Sequence, residues 1–146
     1  MATSYDVIQD GRVVLQYWSG SMTADDIAAQ QHACLSEPRI KPGTSVLIDA
    51  TETLFGLTPE RMRDIMAVLS NTTFHPQNIK NFALLVNSLT YRLARTQEAT
   101  AHLYGTPVCA FTILDEACMW LELDAKMVTA QLDRIKRAGP AFPPHT

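Results

Sequence analysis

The chain is 146 residues long, 47% hydrophobic and 18% charged, with a formal net charge of -3. A chain of this size suits one domain that hides roughly 70% of the surface its unfolded form would expose, which excludes disorder as a class. An acidic pI near 5.7 gives no electrostatic footprint for a polyanion, so nucleic acid is not an expected partner.

Residues Tyr5 to Gln9 and Arg12 to Ser19 are rich in β-branched and aromatic side chains and flank Asp10-Gly11. That pair tolerates the positive φ angles of a tight type I′ turn, so a β-hairpin is predicted, ended by Gly20. In its second arm Val13, Leu15 and Tyr17 make one apolar face, and Val14, Gln16 and Trp18 a mixed one. Thr23-Ala24-Asp25-Asp26 reads as a capping box with Asp as its acidic member, opening a helix that carries Ala24, Ile27, Ala28 and Leu35. Pro38 and Pro42-Gly43 stop it.

Ser45-Val46-Leu47-Ile48-Asp49 is a short apolar run of the kind buried on both sheet faces. Thr58-Pro59-Glu60 then starts a helix with an N-cap hydroxyl and a first-turn proline. Its Met62, Ile65, Met66 and Leu69 fall at i, i+3, i+4 and i+7, a clean amphipathic stripe. Asn71 to Asn78 reads as a loop leading into a strand from Ile79 to Asn87. Ser88 or Thr90 can cap the next helix, with Leu89, Leu93, Thr96 and Leu103 along one side and a stop at Gly105 and Pro107. Val108 to Ile113 forms the last strand and runs straight into a helix from Leu114 to Leu121. Met127, Val128, Leu132 and Ile135 extend the helical period, with Asp124 either a kink or the cap of a separate helix. The basic cluster Arg134-Ile135-Lys136-Arg137 closes it, where the helix dipole favours cations.

The predicted class is α/β: a mixed sheet of about five strands, an N-terminal hairpin plus mainly parallel strands, with four to five helices. The expected organisation is a single domain over residues 1–139, with a helical extension at 122–139 and a frayed tail at 140–146. The apolar stripe of the extension must be covered, either by its own domain or by a second copy in a homodimer.

Cys34, Cys109 and Cys118 are an odd set without a CxxC pair, which argues for a reducing compartment and for core thiols. No leader pattern opens the chain and no apolar run approaches the roughly 20 residues of a membrane span, so a cytoplasmic protein without a membrane span is expected. The Asn71-Thr72-Thr73 sequon therefore has no expected role. None of His32, His75, His102 and His145 has metal-ligand spacing, no G-x-S-x-G elbow or phosphate loop occurs, and neither a metal nor a cofactor is predicted. In sheets with parallel strands, ligands meet the carboxyl ends. Those ends supply Asp49, Thr51, Glu52, Asn87, Ser88 and Arg92. Asp49, Thr51, Ser88 and Arg92 are the candidate ligand-binding or partner-binding residues. The structural alternative for Asp49 is that its carboxylate accepts backbone N–H groups of the next loop.

Three groups of residues carry a family resemblance. They are Val46-Leu47-Ile48-Asp49 before an amphipathic helix, Phe82-Ala83-Leu84-Leu85-Val86 before Ser88, and Ala110-Phe111 before Asp115-Glu116-Ala117 and Trp120-Leu121. Over residues 5–121 this resembles the STAS-like domains, specifically the SpoIIAA-like branch related to bacterial anti-sigma-factor antagonists. The resemblance implies a non-enzymatic regulatory or protein-binding module of a bacterial cytoplasm. Related CRAL-TRIO carriers imply the alternative, a carrier or sensor of an apolar or lipid-like ligand held between helices and sheet. In signalling members a loop hydroxyl is phosphorylated within an Asp-Ser-Ser/Thr-Gly motif. The matching stretch here is Leu57-Thr58-Pro59-Glu60, which keeps the hydroxyl but not the acidic residue or the glycine. Glu60 would repel a phosphate, so Thr58 reads as an N-cap before it reads as a phosphosite.

Overall fold

In the computed structural model, which describes residues 2–55, 58–70, 79–102 and 106–139, five strands form one sheet in the order β1-β2-β3-β4-β5. Strand β1 (Ala2–Ile8) runs antiparallel to β2 (Val13–Ser21). Strands β3 (Thr44–Leu54), β4 (Ile79–Leu85) and β5 (Val108–Phe111) follow, each parallel to its predecessor. The helices are α1 (Ala24–Leu35), α2 (Pro59–Ser70), α3 (Ser88–His102), α4 (Leu114–Leu121) and α5 (Ala125–Ala138). The predicted loop at Asn71 to Asn78, Leu103, the stop at Gly105 and the tail from Pro140 lie outside the described residues.

Residues of α1, α2 and α3 share one core, so the three helices lie on one face of the sheet, as three parallel steps in one direction require when their crossovers keep one hand. That face holds the larger core, in which Val14, Trp18, Ile48, Phe82 and Leu84 from the strands meet Ile27, Leu35, Met62 and Ile65 from the helices. The opposite face is covered by α4 and α5, whose Ala117, Cys118, Val128, Leu132 and Ile135 pack on Val13, Leu15, Leu47 and Ala83. The extension at 122–139 therefore buries its stripe on its own domain.

Local sequence accounts for most helix ends. Thr23 and Asp26 form the capping box: the Asp26 N–H donates to Thr23 Oγ1 at 3.2 Å, and the Thr23 N–H donates to Asp26 Oδ2 at 3.0 Å. Such a cap is worth about 1 kcal/mol. Glu122 takes a left-handed conformation (φ 60°) after α4, and Asp124 then accepts the Lys126 N–H at 3.0 Å, so Asp124 caps a separate fifth helix.

Four local expectations change. The hairpin link is longer than a two-residue type I′ turn: Ile8 pairs with Val13, and Gln9, Asp10 and Gly11 all have positive φ. Helix α3 is capped by Asn87, whose Oδ1 accepts the Thr90 N–H at 3.0 Å, in place of Ser88 or Thr90. Its inner face carries Thr90 and Ala94 with the expected Leu93 packed against the core, leaving Leu89 63% exposed. Strand β3 runs on to Leu54 through a bulge: Tyr17 pairs with Asp49 but Ser19 with Glu52, so β3 advances three residues where β2 advances two. The β5 edge is short, and the Glu98 carboxylate of α3 accepts the Ala110 N–H at 2.9 Å, a group that would otherwise invite another strand.

Candidate functional site

The carboxyl ends of β3, β4 and β5 gather the candidate residues. Asp49 ends the apolar run of β3 with its side chain on the α5 side of the sheet. Its Oδ1 accepts the Thr51 N–H at 3.1 Å and the Thr51 hydroxyl at 2.7 Å, which folds the bulge back over the carboxylate. Its Oδ2 takes an ion pair from Lys136 Nζ at 3.0 Å. Lys136 also lies 5.1 Å from the centre of the Tyr17 ring, in cation–π range. The carboxylate is 6% exposed and the lysine 37%, so the pair fastens the last turn of α5 to the sheet.

Asp49 and Thr51 are thus brought together, with Lys136 as a partner that sequence reasoning missed. No hydrogen bond or ion pair among the described residues joins them to Ser88 or Arg92, which lie exposed on the first turns of α3. Lys136 left only a weak sequence signal, a cation beside Ile135 at the border of the apolar stripe. With Lys136→Met the carboxylate keeps both Thr51 donors and the lysine was partly hydrated, so a loss of only about 1 kcal/mol is expected in urea denaturation.

Thr58 stands at the N-cap of α2: the Arg61 N–H donates to its Oγ1 at 3.2 Å and the Met62 N–H to its carbonyl at 3.1 Å. The residue is exposed. Between the starts of α1 and α2 lies a cleft of about 360 Å³ whose lining includes Met22, Thr23, Asp25, Arg61, Asp64 and Ile65.

The three cysteines are free thiols, with Cys34 and Cys118 buried. Burial favours the uncharged thiol and pushes Cys34 up to about 12 and Cys109 up to about 11. Cys118 is raised for the same reason. Thiolate is the reactive form, so these groups are poor nucleophiles at neutral pH. Holding Cys34 as a thiol stabilises the fold fully below the ordinary value of 9.0, and that contribution is lost as pH rises from there toward 12. Alkylation of Cys34 by iodoacetamide at pH 9 is expected to be at least tenfold slower in the native protein than in urea, and equal rates would contradict its burial.

Among the described residues no group of three or more His, Cys, Asp or Glu is placed to hold a metal ion. No described helix is long and apolar enough to cross a membrane.

No family model matches this chain, and no curated protein matches it in sequence. Among solved structures it is similar to an uncharacterized protein of the DUF3478 family, with a SpoIIAA-like fold, from Shewanella loihica PV-4. The likeness covers 82% of this chain and 92% of that one, at 21% identity and a TM-score of 0.51. At that identity the match speaks for architecture alone. The mixed five-stranded sheet with its five helices is a SpoIIAA-like fold.

Proposed function

We propose that this protein is a non-enzymatic, STAS-like regulatory module of a bacterial cytoplasm that acts by binding another protein through the carboxyl end of its sheet. The observation that carries the reading is the placement of exposed apolar side chains there. Leu54 at the end of β3 is 67% exposed, Leu89 after β4 63% and Ile113 after β5 52%. A contiguous apolar patch left in water marks a contact surface, and these three side chains stand at the carboxyl ends of three consecutive strands. Thr51, Ser88 and Arg92 add polar contacts at this end, with Asp49 holding Thr51 in place and Thr58 serving as a cap in preference to a switch.

Affinity purification from native cells, followed by native mass spectrometry, tests the reading. A stoichiometric protein partner is expected, and a retained small molecule with no partner would favour the carrier alternative instead. That alternative has less support: of the residues that could wall an apolar pocket, Met62 and Met66 are buried to 0% and 1% exposure inside the filled core, Met127 packs on the second core, and Met119 and Trp120 lie exposed on α4. The cleft between α1 and α2 is bordered by Asp25, Arg61 and Asp64, a poor lining for a lipid.

A further inference from the structure

We infer that the outer face of α4, with the trough between α4 and α5, is a docking surface for a cationic amphipathic segment of a partner protein. This deepens the protein-binding reading above and rests on it. Met119 is 78% exposed and Trp120 37%, far more than large apolar groups with a free choice of environment. Trp120 packs on Phe111 of β5 with ring centres 5.7 Å apart, so the two rings form a platform beside Ile113. An aromatic platform of this sort is an effective anchor, because its area is large and little side-chain entropy is lost when it is covered.

The charge around the platform states what covers it. Residues 108–125 contain Asp115, Glu116, Glu122 and Asp124 and no Lys, Arg or His, a charge of -4 in a chain whose whole net charge is -3. All four are exposed and none is in an ion pair among the described residues; Glu122 lines a pocket with Arg12 and Lys80, so Asp115 and Asp124 carry the acidic flank. Asp115, one turn before Met119 on α4, borders an open trough of about 810 Å³ between α4 and α5, together with Asp124 and Asp133 and with Lys126 as its one cation. An apolar anchor with an acidic flank complements a helix or strand carrying aliphatic residues on one side and Lys or Arg on the other. A second copy of this chain is a poorer occupant. Its own cationic amphipathic helix, α5, already has Val128, Leu132 and Ile135 buried on its own sheet.

The chain has two tryptophans, and Trp18 is 0% exposed, so Trp120 is a built-in reporter. The full chain is titrated with an amphipathic Leu/Lys helical peptide and with its Leu/Glu counterpart, following emission wavelength and iodide quenching. The Leu/Lys peptide is expected to shift Trp120 emission to the blue, to protect it from iodide, and to bind at least tenfold more weakly when Asp115→Lys and Asp133→Lys are combined. Glu60→Lys with Asp64→Lys on α2, an equal change of charge, is expected to leave binding unchanged. Equal loss from both pairs would reduce the effect to bulk charge and overturn the inference. Binding of neither peptide, or of both alike, would overturn it too, as would a concentration-dependent dimer abolished by Trp120→Ser. In each of those cases a stoichiometric partner that contacts Leu54 or Leu89 would leave the protein-binding reading standing.

Discussion

Replacing Gly11 by alanine is expected to destabilise the fold by about 3 kcal/mol, summed from a left-handed backbone, a steric clash and two weakened hydrogen bonds. Gly11 has φ +86°, and a Cβ built on it would lie 2.0 Å from the backbone oxygen of Arg39. Backbone cannot rotate away as a side-chain tip can, so the segment from Arg39 to Lys41 would have to move. That movement strains two bonds to the Gly11 carbonyl, the Lys41 N–H at 3.0 Å and the Thr44 hydroxyl at 2.6 Å, which tie the hairpin link to the start of β3. For a chain of this size the loss corresponds to a midpoint lowered by roughly 6–12 °C. Gly43 is the matched control, with φ +83° and nothing within 4 Å of a built Cβ. Gly43→Ala carries the backbone strain alone, about 1 kcal/mol. Thermal denaturation of both variants checks this, and equal losses would mean that the contact with Arg39 is not as described.

The second large effect is expected at Gln16. This side chain is 0% exposed on β2, and its Oε1 accepts the Trp18 indole N–H at 2.9 Å and the Gln31 amide at 2.7 Å. Its own amide donates to Gln31 Oε1 at 3.1 Å, and Gln30 approaches from the same helix at 3.5 Å. A polar cluster therefore sits between β2 and α1 inside an otherwise apolar core, tolerable because its members satisfy one another. Gln16→Leu keeps the volume but leaves the Trp18 N–H without its acceptor and the Gln31 Oε1 without its donor, while the Gln31 amide keeps only Gln30 Oε1. Each orphaned group costs roughly 1–3 kcal/mol, so a loss of about 3 kcal/mol is expected. Combining Gln16→Leu with Gln31→Leu should cost less than the two separately, since the second change removes a group the first had orphaned. Urea denaturation followed by Trp18 fluorescence reads both, and a Gln16→Leu loss below 1 kcal/mol would show that the cluster does not hold the core.

Much of this architecture was legible because its signals are local. The Thr23 capping box and the stripe of Met62, Ile65, Met66 and Leu69 depend on residues within two turns of one another, and both appear as expected. The stripe of α3 is legible only in part: Leu93 packs on the core, but Leu89 and Thr96 are exposed, and the buried Thr90 and Ala94 carry little hydrophobic signature. The polar tail of β3 is illegible for another reason: the bulge after Asp49 shifts the alternation by one residue, so Phe55 joins the larger core where a regular strand would turn it to the α5 face. On β2 the mixed face of Val14, Gln16 and Trp18 is fully buried, because helices lie on both sides of the sheet, while Tyr17 on the apolar face is only half-buried.

At the candidate site, Asp49 and Thr51 are near neighbours in sequence and could be paired on paper. Lys136 and Tyr17 could not, because their meeting depends on how α5 crosses the sheet. The exposed Leu89, Met119 and Trp120 were equally hidden, since periodicity says which residues form a stripe and not which stripe the fold leaves in water.

Site-specific photo-crosslinking in native cells decides whether the carboxyl end of the sheet binds a protein. With benzoylphenylalanine at Leu89 or Ile113, on the carboxyl end of the sheet, one discrete protein adduct of constant mass is expected. At Lys80, exposed at the amino end of β4, no adduct is expected. An adduct at Lys80 with none at Leu89 or Ile113 would contradict a contact surface at the carboxyl end, and no adduct from any of the three would contradict protein binding as the function.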